Sequence, residues 1–335
     1  MRLSKFTLTL GFPLLLGACA TAVPSAFTEP KAGFAAVSNQ TATAIGKRTA
    51  FAETQAENEA LREQVHSMVH RKTISADTAV QVALLNNKGL QASYANVGLS
   101  AADAWQQATP ENPIVSIGIL GIGAPELGAY RAIEGLIRAN ILDATTRKQR
   151  LALADVNFRA AQLEAVNDTL SLATQTRKAW VDAVSAFETA SYLNRAKATS
   201  DAGSELARRL GETGALNKAA QAREQAFNAE LAGQLAQARL NATRAKENLT
   251  RLMGLWGTEV DYFVPDALPA LPRSVGRITN IESRALNSRV DLRVAKLGLE
   301  VQAAAFGLTD QTRIVSDLEL VAGFEAEREV EDGDT

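Results

Sequence analysis

The sequence predicts a fold that is mainly α with a few β-strands, organised around one long antiparallel helical hairpin. Three observations carry this expectation. Hydrophobic residues make up 46% of the 335-residue chain but aromatics only 5%, and alanine supplies much of the difference, a composition suited to helices joined by thin interfaces. No proline interrupts the stretch from Asp143 to about Leu210, which as a helix would extend roughly 100 Å at 1.5 Å per residue. Within it Val156, Leu163, Val166, Leu170, Ala173, Trp180, Val184 and Phe187 fall at spacings of three and four or their sums, the register of a heptad seam that needs partner helices.

The elements follow in chain order. Arg2 and Lys5 precede an apolar run from Phe6 to Leu16 and then Leu16-Gly17-Ala18-Cys19, the pattern of a secretory signal over residues 1–18. Leu-Gly-Ala-Cys matches the bacterial lipobox, so Cys19 is expected to become the lipidated first residue, carrying palmitate-type acyl chains. An ordinary signal peptide with an incidental cysteine is the alternative. As the only cysteine in the chain, Cys19 excludes an intrachain disulfide. Residues 19–74 read as a tether without stable period followed by an N-terminal helix from Phe51 to Lys72. A second helix is expected from Ser75, its N-cap, to Gln107, stopped by Thr109-Pro110-Glu111-Asn112-Pro113.

Two short segments follow, Ile114 to Ile122 and Tyr130 to Ile141. The second alternates Ile133, Ile137 and Ile141 against Glu134, Arg138 and Asn140, as a half-buried strand does. Ile133, Leu136, Ile137 and Ile141 fit an amphipathic helix equally, and the residues leave the choice open. Beyond the long helix, Gly211 to Asn217 breaks the chain. A return helix then carries Phe227, Leu231, Ala238, Ala242, Ala245, Leu249 and Leu252 on one stripe, ending at Gly254 or Gly257.

A linker over 258–274 leads to an internal echo. Ala83 to Leu99 is repeated in character by Ala285 to Val301, and the strand-like Ile114 to Ser116 by Ile314 to Ser316. Residues 75–257 thus form one copy of a unit of helix, two strands and hairpin, and 275–335 the start of an incomplete second copy. In Arg313 to Phe324, Ile314, Leu318, Leu320 and Phe324 oppose Asp317 and Glu319.

Lipobox, helix running into two strands, long hairpin and second copy together resemble the TolC-like outer-membrane efflux proteins, apparently truncated in the second repeat. The resemblance covers about Ser75 to Phe324. It is carried by "ALLNNKGLQASYANV", by the hairpin return from Ala222 to Gly254, and by "SRVDLRVAKLGLEVQAA", close to the family's Arg-Pro-Asp-Leu signature with Val290 in place of proline.

The resemblance implies a homotrimer in which strands build a membrane barrel and hairpins a periplasmic tunnel. It implies a passive conduit in a tripartite efflux or type I export system, served by a periplasmic adaptor and an inner-membrane transporter, in the outer membrane and lipid-anchored. Glu134, Arg138, Asp317 and Glu319 become lumen-facing candidates. The hairpin tip, with Arg208, Gly211, Gly214 and Lys218, becomes the adaptor contact and periplasmic gate. A non-pore periplasmic lipoprotein with a structural or partner-binding coiled-coil hairpin is the alternative.

Other chemistry is weakly signalled. Lys+Arg 35 against Asp+Glu 37 gives a net charge of -2, without the basic excess that nucleic acid requires. Glu59, Glu63, His66 and His70 lie at helical spacings that offer two imidazoles and carboxylates to a metal, although an ordinary solvated helix face is the favoured reading. Gly121-Ile-Gly123 lacks the rest of a dinucleotide fingerprint. With no phosphate loop and no catalytic dyad or triad, the sequence predicts neither enzyme nor cofactor.

Overall fold

The computed structural model describes residues 24–120, 122, 132–271, 273–274, 279–315 and 317–327. The signal segment, Cys19, Gly121 and Gly123 lie outside the described residues. The helices are α1 (Phe34–Ile45), α2 (Gln55–Val69), α3 (Ala76–Asn86), α4 (Lys88–Ala108), α5 (Ile141–Glu212), α6 (Lys218–Met253), α7 (Ile281–Ser288) and α8 (Val290–Thr312). The strands are β1 (Ile114–Leu120), β2 (Ala132–Asn140) and β3 (Glu319–Glu327). A mainly helical chain with a few strands and a long helical hairpin is therefore observed. Two compact units divide the chain, one drawing its described residues from 24–33, 97–161 and 292–327, the other from 34–96 and 162–291.

In the second unit the core is formed by residues that include Val65, Val69, Ile74, Val82, Leu85, Trp180, Val184, Leu249, Met253 and Tyr262. Two of its buried polar contacts are internal. The Trp180 indole N–H donates to the Ile74 carbonyl at 2.9 Å, and the Tyr262 and Thr250 hydroxyls meet at 2.8 Å. Burial pushes the hydroxyls of Tyr262 and Tyr94 up to about 12, as expected where water cannot solvate a phenolate. Along α5 the predicted seam is buried at Val156, Leu163, Val166, Ala173, Trp180 and Val184, whereas Phe187 is exposed.

The single helix expected over Ser75 to Gln107 is broken at Asn87, which adopts φ -64 and ψ 120. Tertiary hydrogen bonds cause the break. Asn86 Nδ2 donates to the carbonyls of Met253 and Gly254 at 3.2 and 2.8 Å, and Asn87 Nδ2 to that of Leu252 at 2.9 Å. Those carbonyls belong to the end of α6 and have no helical partner of their own. The Asn87 side-chain oxygen meanwhile caps α4 by accepting from Leu90 N. Gly254 closes α6 with φ +68, and a Cβ on it would lie 2.8 Å from the Asn86 carbonyl oxygen. A similar break separates α7 from α8 at Arg289, with φ -66 and ψ 120.

The N-terminal region differs from the expected tether. Residues 34–45 form α1, with Val37 and Thr41 fully buried, and Phe34 packs on Tyr94 and Phe51 at centroid distances of 5.0 and 5.8 Å. Local periodicity carried no sign of this because only a few positions are buried. The helix expected from Phe51 starts later, where Thr54 and Glu57 form a capping box that fixes its first turn at Gln55.

In the first unit the strands form one antiparallel sheet of order β1-β2-β3. Ile114 pairs with Arg138, Gly118 with Glu134, Glu134 with Glu325, Arg138 with Val321 and Asn140 with Glu319. This settles residues 132–140 as strand. The described Ile314 and Val315 do not begin β3, which starts at Glu319, and Ser316 lies outside the described residues. The pairing stops at Asn140 because α5 starts at Ile141, whose N–H donates to the Leu318 carbonyl at 2.8 Å, so Asp317 and Leu318 find no strand beside them.

Candidate functional site

Opposite residues of paired strands share a face, so the register sorts the sheet into two surfaces. One carries Val115, Ile117, Ile119, Ile133, Gly135, Ile137, Ala139, Leu320, Ala322, Phe324 and Ala326, without a polar side chain. Val115, Ile117, Ile119, Ile137, Leu320 and Phe324 on it are 44 to 74% exposed. The opposite surface carries Glu134, Arg138, Asn140, Glu319, Glu325 and Glu327 among Ser116, Gly118 and a few apolar residues.

Glycines shape both surfaces. A Cβ on Gly135 would meet the Phe324 ring at 2.4 Å and one on Gly118 the Glu134 carboxylate at 2.7 Å. Each glycine is therefore a notch across which the neighbouring strand's side chain lies. A cleft of about 300 Å³ on the sheet is lined by Ser116, Glu134, Gly135, Leu136, Gly323, Phe324 and Glu325.

Of the four lumen candidates, the structure brings three onto the polar surface. Arg138 and Glu319 form an ion pair at 3.4 Å, both sides partly exposed, and Glu134 faces Glu325 across the strands. Asp317 precedes β3 and stands outside its alternation. Glu325 and Glu327 were not singled out from the sequence, although continuing the Glu319 parity past Phe324 reaches both.

At the hairpin tip, Gly214 turns the chain with φ +79, and Asn217 caps α6 by accepting from Ala220 N at 2.8 Å. Gly211, expected to begin the break between the two helices, lies instead inside α5. It is helical, and a Cβ on it would collide with the Gln221 amide, which donates to the Ala207 carbonyl at 3.3 Å. Glu205 accepts from Arg208 at 2.9 Å and from Arg209 at 2.8 Å. Those two guanidiniums, Arg208 foremost, hold its carboxyl down to about 2, and Arg208 is raised in return. Arg208 also pairs with Glu212, while Lys218 opens α6 exposed to solvent.

His66 and His70 stack face to face, 4.4 Å between centroids and 20° apart in plane. Stacking sets the rings side by side instead of aiming two nitrogens at one point. Among the described residues no group of three or more His, Cys, Asp or Glu side chains is placed to hold a metal ion. No helix among them is long and apolar enough to cross a membrane.

The sequence matches no family model and no curated protein. Solved structures do match. The chain is similar to CusC, a protein studied for its folding and transmembrane channel formation, at 14% identity over 77% of this chain and 66% of that one, with a TM-score of 0.59. It is similar to the CmeC outer-membrane channel of Campylobacter jejuni at 16% identity over 89% of this chain and 68% of that one, with a TM-score of 0.52. The outer-membrane protein VceC of Vibrio cholerae matches at 13% identity over 77% and 69%, with a TM-score of 0.58. The fold is that of the TolC-like outer-membrane channels. The alignments span about two thirds of the length of these proteins, 66 to 69% of each. The TolC-like fold places its helical hairpin and its strands in one chain, as α5–α6 and β1–β3 are here.

Proposed function

We propose that this chain is an outer-membrane channel component of a tripartite efflux or type I export system, a passive conduit for solutes delivered by an inner-membrane pump through a periplasmic adaptor. The two-faced sheet is the observation that carries this reading. Six large apolar side chains, each about half exposed, leave roughly 5–9 kcal/mol of transfer free energy unrealised in water. Lipid realises it, and strands alternating apolar outward and polar inward are how a barrel meets a bilayer. In this reading the polar face lines the lumen and the seam-bearing hairpin α5–α6 supplies staves of the tunnel. Arg208, Gly211, Gly214 and Lys218 meet the adaptor, Cys19 carries the lipid anchor, and three copies close the tube.

The lumen face holds Glu134, Glu319, Glu325 and Glu327 against Arg138, so the pore favours cations. Expression of the chain with its own signal in a Gram-negative host, followed by crosslinking and planar-bilayer recording of purified outer membranes, tests the reading. Discrete conductance steps from a trimer are expected. Reversal potentials should indicate cation preference, moving toward zero in a Glu134→Gln, Glu325→Gln variant. Silent, membrane-anchored monomers would overturn the channel and support a non-pore periplasmic lipoprotein whose hairpin binds a partner. Exposed Phe187, Tyr192, Leu206 and Phe227 along that hairpin favour such a surface.

A further inference from the structure

Away from the sheet and the hairpin tip, a cleft of about 450 Å³ is lined by Glu59, Arg62, Glu63 and His66 from α2 and by Glu259 from the 3-10 turn Gly257–Val260. Glu259 is only 9% exposed. No side chain or backbone group among the described residues donates to its carboxylate. Its oxygens stay open to the cleft they line and accept no hydrogen bond from the described residues, so their acceptor capacity is free for a ligand.

The cationic side chain in the cleft lining, Arg62, is engaged with a ring. The Arg62 guanidinium lies 4.7 Å over the ring of Trp256, itself 62% exposed at the approach to the turn. Three carboxylates thus face one guanidinium that is already stacked, and the cleft keeps an excess of negative charge. His66 is turned against His70, whose Nδ1 lies 3.4 Å from the Thr258 carbonyl. This arrangement lacks the three converging ligands a metal ion needs.

We propose that this cleft is a binding site for an organic cation, an alkylammonium or guanidinium group, with Glu259 as its anchoring carboxylate. An ammonium supplies Glu259 with the charge-assisted hydrogen bond it lacks. Glu59 and Glu63 on the exposed α2 face add attraction at the mouth. The cation is either a free amine or the basic side chain of another protein, and the chemistry of recognition is the same. The site goes beyond the channel reading and rests on none of it.

Isothermal titration of the purified full chain in detergent tests the proposal with two probes, spermidine for a free amine and acetyl-Gly-Lys-Gly-amide for a protein side chain. Saturable binding of at least one is expected, weakened about tenfold or more by Glu259→Gln, since the hydrogen bond loses its ionised acceptor. Glu63→Gln, at an exposed helix position, should weaken it less and leaves the fold intact should Glu259→Gln disturb it. A preference for spermidine identifies a free amine as the ligand, and a preference for the peptide identifies a partner's side chain. Absence of binding by both probes, equal affinity in the parent and both variants, or binding of zinc chloride alone would overturn the proposal.

Discussion

Gly254→Ala should be markedly more damaging than Gly257→Ala, although both glycines have left-handed backbones, φ +68 and φ +62. At Gly257 a Cβ would meet nothing within 4 Å. That substitution therefore costs only the left-handed strain, about 1–2 kcal/mol, offset by about 0.4–1 kcal/mol from a less flexible unfolded chain. At Gly254 the added Cβ would lie 2.8 Å from the Asn86 carbonyl oxygen and 3.2 Å from the Asn87 Cα. These are backbone atoms and cannot swing aside, so the end of α6 must move away from the α3–α4 break. That movement strains the three amide hydrogen bonds from Asn86 and Asn87 to the carbonyls of Leu252, Met253 and Gly254, each worth about 1 kcal/mol net. The expected difference between the two variants is about 2 kcal/mol or more, read from urea unfolding followed by circular dichroism. Equal destabilisation to within about 0.5 kcal/mol would refute the argument that α6 is seated on the helix break by close backbone approach.

Three further outcomes are expected. Trp180→Phe removes the donor to the Ile74 carbonyl and leaves a buried acceptor unpaired, costing about 1–3 kcal/mol in the same unfolding assay. Glu205 has a folded pKa depressed from 4.5 to about 2, so its contribution is present above the unfolded value and is lost as pH falls through about 2; carboxyl NMR should show Glu205 still ionised at pH 3, and an ordinary titration midpoint would count against the Arg208 and Arg209 contacts. Tyr94 and Tyr262 have folded values raised from 10.0 to about 12. Their contribution is intact below pH 10 and is lost as pH rises toward 12, so ultraviolet phenolate titration should find two of the tyrosines ionising late or together with unfolding.

The long elements were legible because their signals are local. The α5 seam is read from its heptad spacing, and the stripe on α6 is buried at Leu231, Ala238, Ala242, Leu249 and Leu252. Where the reading stopped, the deciding partner lay far away in sequence. Residues 132–140 are apolar at positions that suit helix and strand alike, and pairing with Glu319–Glu327 makes them a strand. The break at Asn87 depends on carbonyls more than 160 residues along the chain and has no local signature. In the same way α1 forms where Phe51 and Tyr94 receive Phe34, a contact that Ala- and Thr-rich composition does not announce. In the candidate site, strand alternation was enough to place Glu134, Arg138 and Glu319 on one surface. Asp317 fell outside because a strand's start is set by where its neighbour ends. The histidine spacing gave the helix face correctly but said nothing of ring orientation, and the stacked pair offers no converging ligands.

The direction of the strands has a consequence of its own. β1 and β3 both run antiparallel to β2, so they point the same way. If identical copies repeated these three strands head to tail around a ring, β3 of one copy would meet β1 of the next in parallel, unlike either pairing inside the sheet. A closed wall built on these strands therefore has a distinctive seam at each copy boundary, either a parallel pair with slanted hydrogen bonds or one additional strand that restores the alternation of direction.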